Sequence, residues 1–281
     1  MNARSEQLGI PPSGLWTTLA KQWRVIDVPL RPSDDDQKAY ENIVFNWQRA
    51  NPSRPVRGLL LGVTGEIAAM RWPAGASLLA VDHSLPMVAN VWPKPPHGAA
   101  VCADWRAMPV EPGSRDVALG DGCLTLLSVP AGRAAFAASL RSVLADDGML
   151  ALRCFCRPET SETPDQVFDD LRAGRIEGFC AFKWRLAMSL HGRPDEGVRL
   201  ADIWECWSAE VKDADELATH CGWPLEAVRS MDVYRGSETR YLFSTIEESR
   251  KSLAPWFTLQ SQHVGRYELA ERCPILVFRP A

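Results

Sequence analysis

The sequence predicts an α/β fold built on a doubly wound, mainly parallel sheet that carries a helical insertion. Three observations lead there. Short apolar runs of strand length alternate with helix-like segments between residues 56 and 155. The runs are apolar along their whole length, as strands covered on both faces must be. Four of them are followed by Gly or Asp (Gly62, Asp82, Asp104, Asp121), the residues expected where the chain turns at the mouth of such a sheet. A chain of 281 residues can bury a large core, so no disulfide or metal staple is required.

Residues 1–51 read as an N-terminal arm and a helix. The arm is rich in Trp and Pro (Trp16, Trp23, Pro29, Pro32), with Arg31 beside them. A helix is expected from Asp34 to about Ala50. Asp34, Asp35 and Asp36 suit the positive end of a helix, and Tyr40, Val44 and Trp47 recur at helical spacing. Asn51, Pro52 and Pro55 end it. Residues 52–156 hold the alternating core. Strands are expected at 56–61, 77–81, 99–102, 116–119 and 149–155, with helices starting near 67 and 87 and spanning 134–144. Arg157 and Pro158 mark a change of character. Residues 157–240 read as a helical lid, with helices at 164–173, 176–190, 199–207 and 214–221 and a strand-like piece at 228–234. Residues 241–281 return to the core through a strand-like 241–243, a helix at 246–253 and closing strands at 257–264 and 274–278.

Composition removes several function classes. With 31 Lys and Arg against 35 Asp and Glu, the formal charge of −4 offers no global basic field, so no nucleic-acid partner is expected. No apolar run approaches the roughly 18 residues of a membrane span. The first 12 residues show no basic stretch followed by an apolar one, so a cytoplasmic protein without membrane contact is expected. The eight cysteines are scattered without metal-ligand spacing and read as reduced. The five histidines show neither metal spacing nor a nucleophile partner in sequence.

The chemistry concentrates at the ends of the apolar runs. Leu59-Leu60-Leu61-Gly62-Val63-Thr64-Gly65 passes from a strand through a glycine turn towards a helix, a geometry that lets backbone approach a ligand. An ordinary strand-to-helix turn explains this stretch equally well. Leu78-Leu79-Ala80-Val81-Asp82-His83 places a carboxylate 20 residues after Gly62, an offset suited to a ribose diol. Taken singly, Asp82 is a turn former or helix cap; with the glycine turn, the ligand reading is the better one. Asp104 and Trp105 follow the next strand, where a carboxylate and a ring could receive an adenine amino group and its flat face, or serve as a cap and a packed side chain. Asp121-Gly122 ends a fourth strand.

In this order the four pieces resemble motifs I to IV of class I S-adenosylmethionine-dependent methyltransferases, of the methyltransferase type 11-like kind. Leu144-Ala145-Asp146-Asp147-Gly148-Met149 is similar to the family's turn into its fifth strand. The resemblance implies a Rossmann-like seven-stranded sheet whose last hairpin strand is antiparallel, with S-adenosyl-L-methionine as cofactor. It would place Gly62, Val63 and Thr64 in the cofactor loop, Asp82 and His83 at the ribose, Asp104 and Trp105 at the adenine, and Asp121 beneath the methionine portion. In motif I the family has an acid and two further glycines where this chain has Leu60, Thr64 and Glu66.

A nicotinamide-binding G-x-G-x-x-G turn would need glycine at 64 and 67, where Thr64 and Ile67 stand. A DNA or amino-group methyltransferase with an (Asp/Asn)-Pro-Pro-aromatic motif is disfavoured, since Gly122-Cys123-Leu124 follows Asp121. Two functions remain: methyl transfer to a small molecule, or a catalytically silent methyltransferase-like subunit that binds a partner, as the altered motif I allows. In the lid, Phe179, Phe182, Trp184, Trp204 and Trp207 suit helix packing first and a pocket wall second, with Arg185 available to an anionic group. Catalytic residues and oligomeric state stay open.

Overall fold

The computed structural model describes residues 17, 18, 20 and 23–281, so the leader reading of residues 1–12 and the position of Trp16 fall outside the described residues. Helix α1 (Asp34–Ala50) starts on a reciprocal cap. The Ser33 hydroxyl accepts from the Asp36 N–H, and the Asp36 carboxylate accepts from the Ser33 N–H. Its Tyr40, Val44 and Trp47 face is buried, as the spacing predicts.

Strands and helices then alternate in chain order: β1 (Arg57–Leu61), α2 (Gly65–Ala69), β2 (Ser77–Asp82), α3 (Leu85–Asn90), β3 (Gly98–Cys102), β4 (Arg115–Asp121), α4 (Ala131–Val143) and β5 (Leu144–Arg153). A helical layer follows, made of α5 (Pro164–Arg172), α6 (Phe179–Ser189), α7 (Leu200–Glu210), α8 (Ala214–Cys221) and α9 (Leu225–Arg229). Two short strands, β6 (Val198–Arg199) and β7 (Arg240–Tyr241), pair within it. The chain closes with α10 (Ile246–Leu253), β8 (Phe257–His263) and β9 (Ile275–Pro280).

The sheet has seven strands in the order β3-β2-β1-β4-β5-β9-β8. Strands β1 to β5 are parallel, and β9 runs antiparallel to both of its neighbours. Alternation along the strands separates two cores. Leu60, Ala80, Leu119 and Ala151 pack beneath Tyr40, Val44 and Trp47 of α1, whereas Leu59, Leu61, Ala118 and Leu150 pack against Phe136 and Leu140 of α4. Burial of each such large side chain is worth about 1.5–3 kcal/mol. Because β1 pairs with both β2 and β4, strand order reverses there and a crevice opens beyond the carboxyl ends of these strands.

The helical layer has a core of its own, in which Phe179, Phe182, Trp207 and Trp223 interlock with ring centroids 5.6–6.2 Å apart. One sequence expectation fails here. Residues 228–234 form the end of α9 and a 3-10 turn (Ser230–Tyr234), not a strand. Ala227, Val228, Met231 and Tyr234 are the buried apolar members, a helical spacing that the β-branched and aromatic content hides. The strand-like 241–243 also stays outside the main sheet: Arg240 and Tyr241 pair with β6, and the Leu242 N–H donates to the Thr125 carbonyl (2.9 Å).

Candidate functional site

The turn after β1 is fixed by backbone conformation. Gly62 sits at φ +93°, a region costly for residues with a Cβ. Its N–H donates to the Val81 carbonyl (2.8 Å), which also accepts from the Trp105 indole N–H (2.5 Å). One carbonyl thus ties the turn to β2 and seats the Trp105 ring beside it. Both Gly62 and Trp105 line a cleft that also includes Val63, Thr64, Asp82 and Asp121.

Asp82 ends β2 and is 7% exposed. One carboxylate oxygen accepts the Ser84 N–H (2.8 Å) and lies 3.8 Å from His83 Nδ1. The other faces Gly62, 3.8 Å from where a Cβ on that residue would stand. Burial pushes the Asp82 carboxyl up to about 6 against the pull of the Ser84 N–H, and burial lowers the His83 imidazole. An ionised Asp82 therefore has an oxygen directed at the cleft and little compensation from the protein.

Asp121 ends β4 opposite Arg153, its register partner on β5. The fully buried guanidinium of Arg153 donates from Nε and Nη2 to the two Asp121 oxygens (2.7 and 3.1 Å) and from Nη1 to the Pro29 carbonyl (2.8 Å). Tyr40 completes the set: its hydroxyl donates to the Gly120 carbonyl (2.8 Å) and accepts the Arg153 N–H (3.1 Å). Burial raises the Asp121 carboxyl and the guanidinium opposes that rise, while the carboxylate holds Arg153 in its charged form. This pair fastens the N-terminal segment and α1 to the floor of the cleft. The neighbouring Gly122 is at φ +66°, and a Cβ there would stand 2.6 Å from the Phe155 ring, another wall of the cleft.

The helical layer supplies the facing wall through Cys180, Lys183 and Trp184 of α6, with Ser230, Tyr234 and Tyr241. Trp184 packs edge to face against Phe155 and Tyr241, at 5.0 and 5.1 Å. The Tyr234 and Tyr241 hydroxyls are 3.2 Å apart; burial raises both, Tyr241 to about 12, so they remain protonated. Lys183 is 4% exposed, with Nζ 3.4 Å from the Ser230 carbonyl and hydroxyl and 4.0 Å from the Tyr234 ring centroid. The cleft holds about 1020 Å³ of open space, its mouth included.

Six of the sequence-derived residues therefore meet at one cleft: Gly62, Val63, Thr64, Asp82, Trp105 and Asp121. His83 and Asp104 do not line it. His83 packs edge to face on Trp105 at 6.3 Å, and Asp104 is spanned by the Arg106 guanidinium (2.6 and 2.9 Å) while capping the turn at Trp105–Ala107. Arg185 is not available to a ligand as expected, since Glu162 and Asp170 both hold it. Of the aromatics singled out in the lid, Trp184 alone reaches the cleft; Phe179, Phe182 and Trp207 pack inside the layer, and the Trp204 indole N–H donates to Asp232 (3.1 Å). Sequence reasoning missed Arg153 and Lys183. Each was marked by being the single charge in an apolar run, Leu150-Ala151-Leu152-Arg153-Cys154-Phe155 and Phe179-Cys180-Ala181-Phe182-Lys183-Trp184.

No protein-family model and no curated protein sequence matches the chain. Solved structures do. A Rhodobacter sphaeroides structure described as a candidate Zn-dependent alcohol dehydrogenase is similar over 96% of this chain and 98% of that one, with a TM-score of 0.60 and 16% identity. A Burkholderia thailandensis 1,6-didemethyltoxoflavin-N1-methyltransferase, with 1,6-didemethyltoxoflavin and S-adenosylhomocysteine bound, is similar over 96% of this chain and 87% of that one (TM-score 0.51, 14% identity). The CurJ carbon methyltransferase matches 96% of this chain with 59% of its own length (TM-score 0.52, 16% identity). At such identities the likeness shows the fold: the chain has the α/β fold of class I methyltransferases, with the strand order that fold implies. Among the described residues there is no group of three or more His, Cys, Asp or Glu able to hold a metal ion, the donor set a zinc site needs.

Proposed function

We propose that the protein transfers a methyl group from S-adenosyl-L-methionine to a small molecule held in this cleft. The observation that carries the reading is the convergence of Gly62, Asp82 and Trp105 at the β1/β2 side of the crevice, facing an aromatic wall from the helical layer. The residues present fit the cofactor. Asp82 presents a buried oxygen that lacks a strong protein donor and suits a hydroxyl pair, Gly62 offers backbone unobstructed by a side chain, and Trp105 offers a flat apolar surface. Val63 and Thr64 complete the loop, with the Thr64 hydroxyl suited to the cofactor carboxylate. His83 lies beside Asp82, its Nδ1 3.8 Å from a carboxylate oxygen, and a contact from Asp104 to the adenine requires that it share or release Arg106.

When bound, the cofactor supplies an electrophilic sulfonium methyl. The task of the chain is then to align the acceptor and exclude water, which can provide much of the acceleration without covalent help. Phe155, Trp184 and Tyr241 form a rigid apolar wall suited to that task. The Tyr234 and Tyr241 hydroxyls stay protonated, so they serve as hydrogen-bond groups and not as bases. Asp121, neutralised by Arg153, shapes the floor.

Calorimetric titration with S-adenosylhomocysteine tests the reading. Micromolar binding is the expected result. No detectable binding, together with a stable partner protein on pull-down, would replace it by a catalytically silent binding subunit, the reading favoured by Thr64 and Glu66 standing where the family has glycine.

A further inference from the structure

Lys183 is the one basic side chain among the described residues that line the cleft. It projects from α6, across from the strand ends, in a wall otherwise made of aromatic and small neutral groups. An ammonium so placed has lost most of its hydration, and the protein returns little. The two contacts to Ser230 are long at 3.4 Å, and the Tyr234 ring lies 4.0 Å from Nζ. Among the described residues no carboxylate forms an ion pair with it, whereas Arg153, the other buried cation by the cleft, is spanned by Asp121. A lysine retained only to fill space would be replaced at lower cost by methionine or leucine of similar volume. The ribose and adenine are neutral, and the cofactor carboxylate has the Thr64 hydroxyl as its proposed partner.

We propose that the methyl acceptor is a flat, largely apolar small molecule bearing one anionic group, and that this group docks on the Lys183 ammonium beside Tyr234. The inference rests on the methyl-transfer reading and names the substrate class of the same site. Phe155, Trp184 and Tyr241 provide the aromatic faces for the flat part, and Lys183 supplies the counter-charge that fixes its orientation. Burial lowers Lys183 to about 8, so the ammonium is present at neutral pH and is lost as pH rises towards 9. The groups around it do not titrate with it: burial raises Cys180, Tyr234 and Tyr241, keeping them neutral, Asp82 at about 6 titrates below this window, and at Asp121 the Arg153 guanidinium opposes the rise that burial causes.

The test uses three matched pairs of probes against the full chain saturated with S-adenosylhomocysteine: 4-hydroxybenzoate and 4-hydroxybenzamide, 1-naphthoate and 1-naphthamide, indole-3-carboxylate and indole-3-carboxamide. Calorimetry at pH 7 should show at least one acid binding about tenfold or more tightly than its amide. The preference should vanish in Lys183→Met, persist in Lys183→Arg and fade between pH 7 and 9. Lys183→Met should keep its melting temperature or gain, because an unpaired buried charge is removed. It should also bind S-adenosylhomocysteine like the wild type. Equal binding of acids and amides, or no acid binding in any pair, overturns the inference and leaves the methyl-transfer reading intact. A loss of S-adenosylhomocysteine affinity in Lys183→Met also overturns it, by assigning the lysine to the cofactor carboxylate. Failure of the wild type to bind S-adenosylhomocysteine sinks the methyl-transfer reading itself.

Discussion

Replacing Asp82 by Asn should stabilise the ligand-free protein and weaken binding at the proposed cofactor site. The carboxyl is moved from 3.8 to about 6 by burial, and a displacement of roughly two pKa units corresponds to about 3 kcal/mol at neutral pH. The sign follows from proton uptake. Between about pH 4 and 6 the native state binds more protons at this site than the unfolded chain, so stability falls as pH rises through that window and stays lower above it. Asparagine removes the ionisation and keeps an oxygen for the Ser84 N–H, which now donates across 2.8 Å. For a chain of this size about 3 kcal/mol corresponds to roughly 6–12 °C in melting temperature. Thermal unfolding at pH 7.5 should show that gain, shrinking to about a third at pH 4.5, where the carboxyl is already largely protonated in the fold. Titration with S-adenosylhomocysteine should show tenfold or more weaker binding, because the proposed charge-assisted contact to the ribose would be lost. A variant no more stable than the wild type at pH 7.5, or equally stabilised at both pH values, would refute the argument from burial.

Two further outcomes follow from the floor and the turn. Asp121→Ala leaves Arg153 charged, buried and without its bidentate partner, and should cost about 3–5 kcal/mol in denaturant unfolding. The double variant Asp121→Leu with Arg153→Met should recover much of that loss, so a double variant as damaged as the sum of the single ones would contradict the pairing. Gly62→Ala should cost about 1–2 kcal/mol from its positive φ alone, since a Cβ there meets Asp82 and Trp105 at an ordinary 3.8 Å; unchanged unfolding would show that the turn relaxes freely.

The core was legible because its signal is local. Apolar runs such as Leu59-Leu60-Leu61 and Leu78-Leu79-Ala80-Val81 are long enough to mark buried strands, and residues at their ends must lie at the mouth of the sheet. That is why Gly62, Asp82, Trp105 and Asp121 read as neighbours from the sequence and meet at one cleft. Residues 228–234 show the limit. Val228, Val233 and Tyr234 carry β propensity, but burial at helical spacing against α6 and α7 prevails over it.

By itself the sequence determined the doubly wound sheet, helix α1 with its acidic first turn and the acids at the strand ends, because propensity, periodicity and chain order act over a few residues. Tertiary structure alone decided which charges are spent and which are left over. Arg185 looked available and is held by Glu162 and Asp170, Asp104 is spanned by Arg106, and Arg153 crosses 32 positions of sequence to neutralise Asp121. Lys183 is the reverse case, a lysine in the wall of the cleft with no carboxylate ion-paired to it among the described residues. A charge is matched or unmatched through space, and folding sets that pairing among residues whose separation in sequence carries no trace of it.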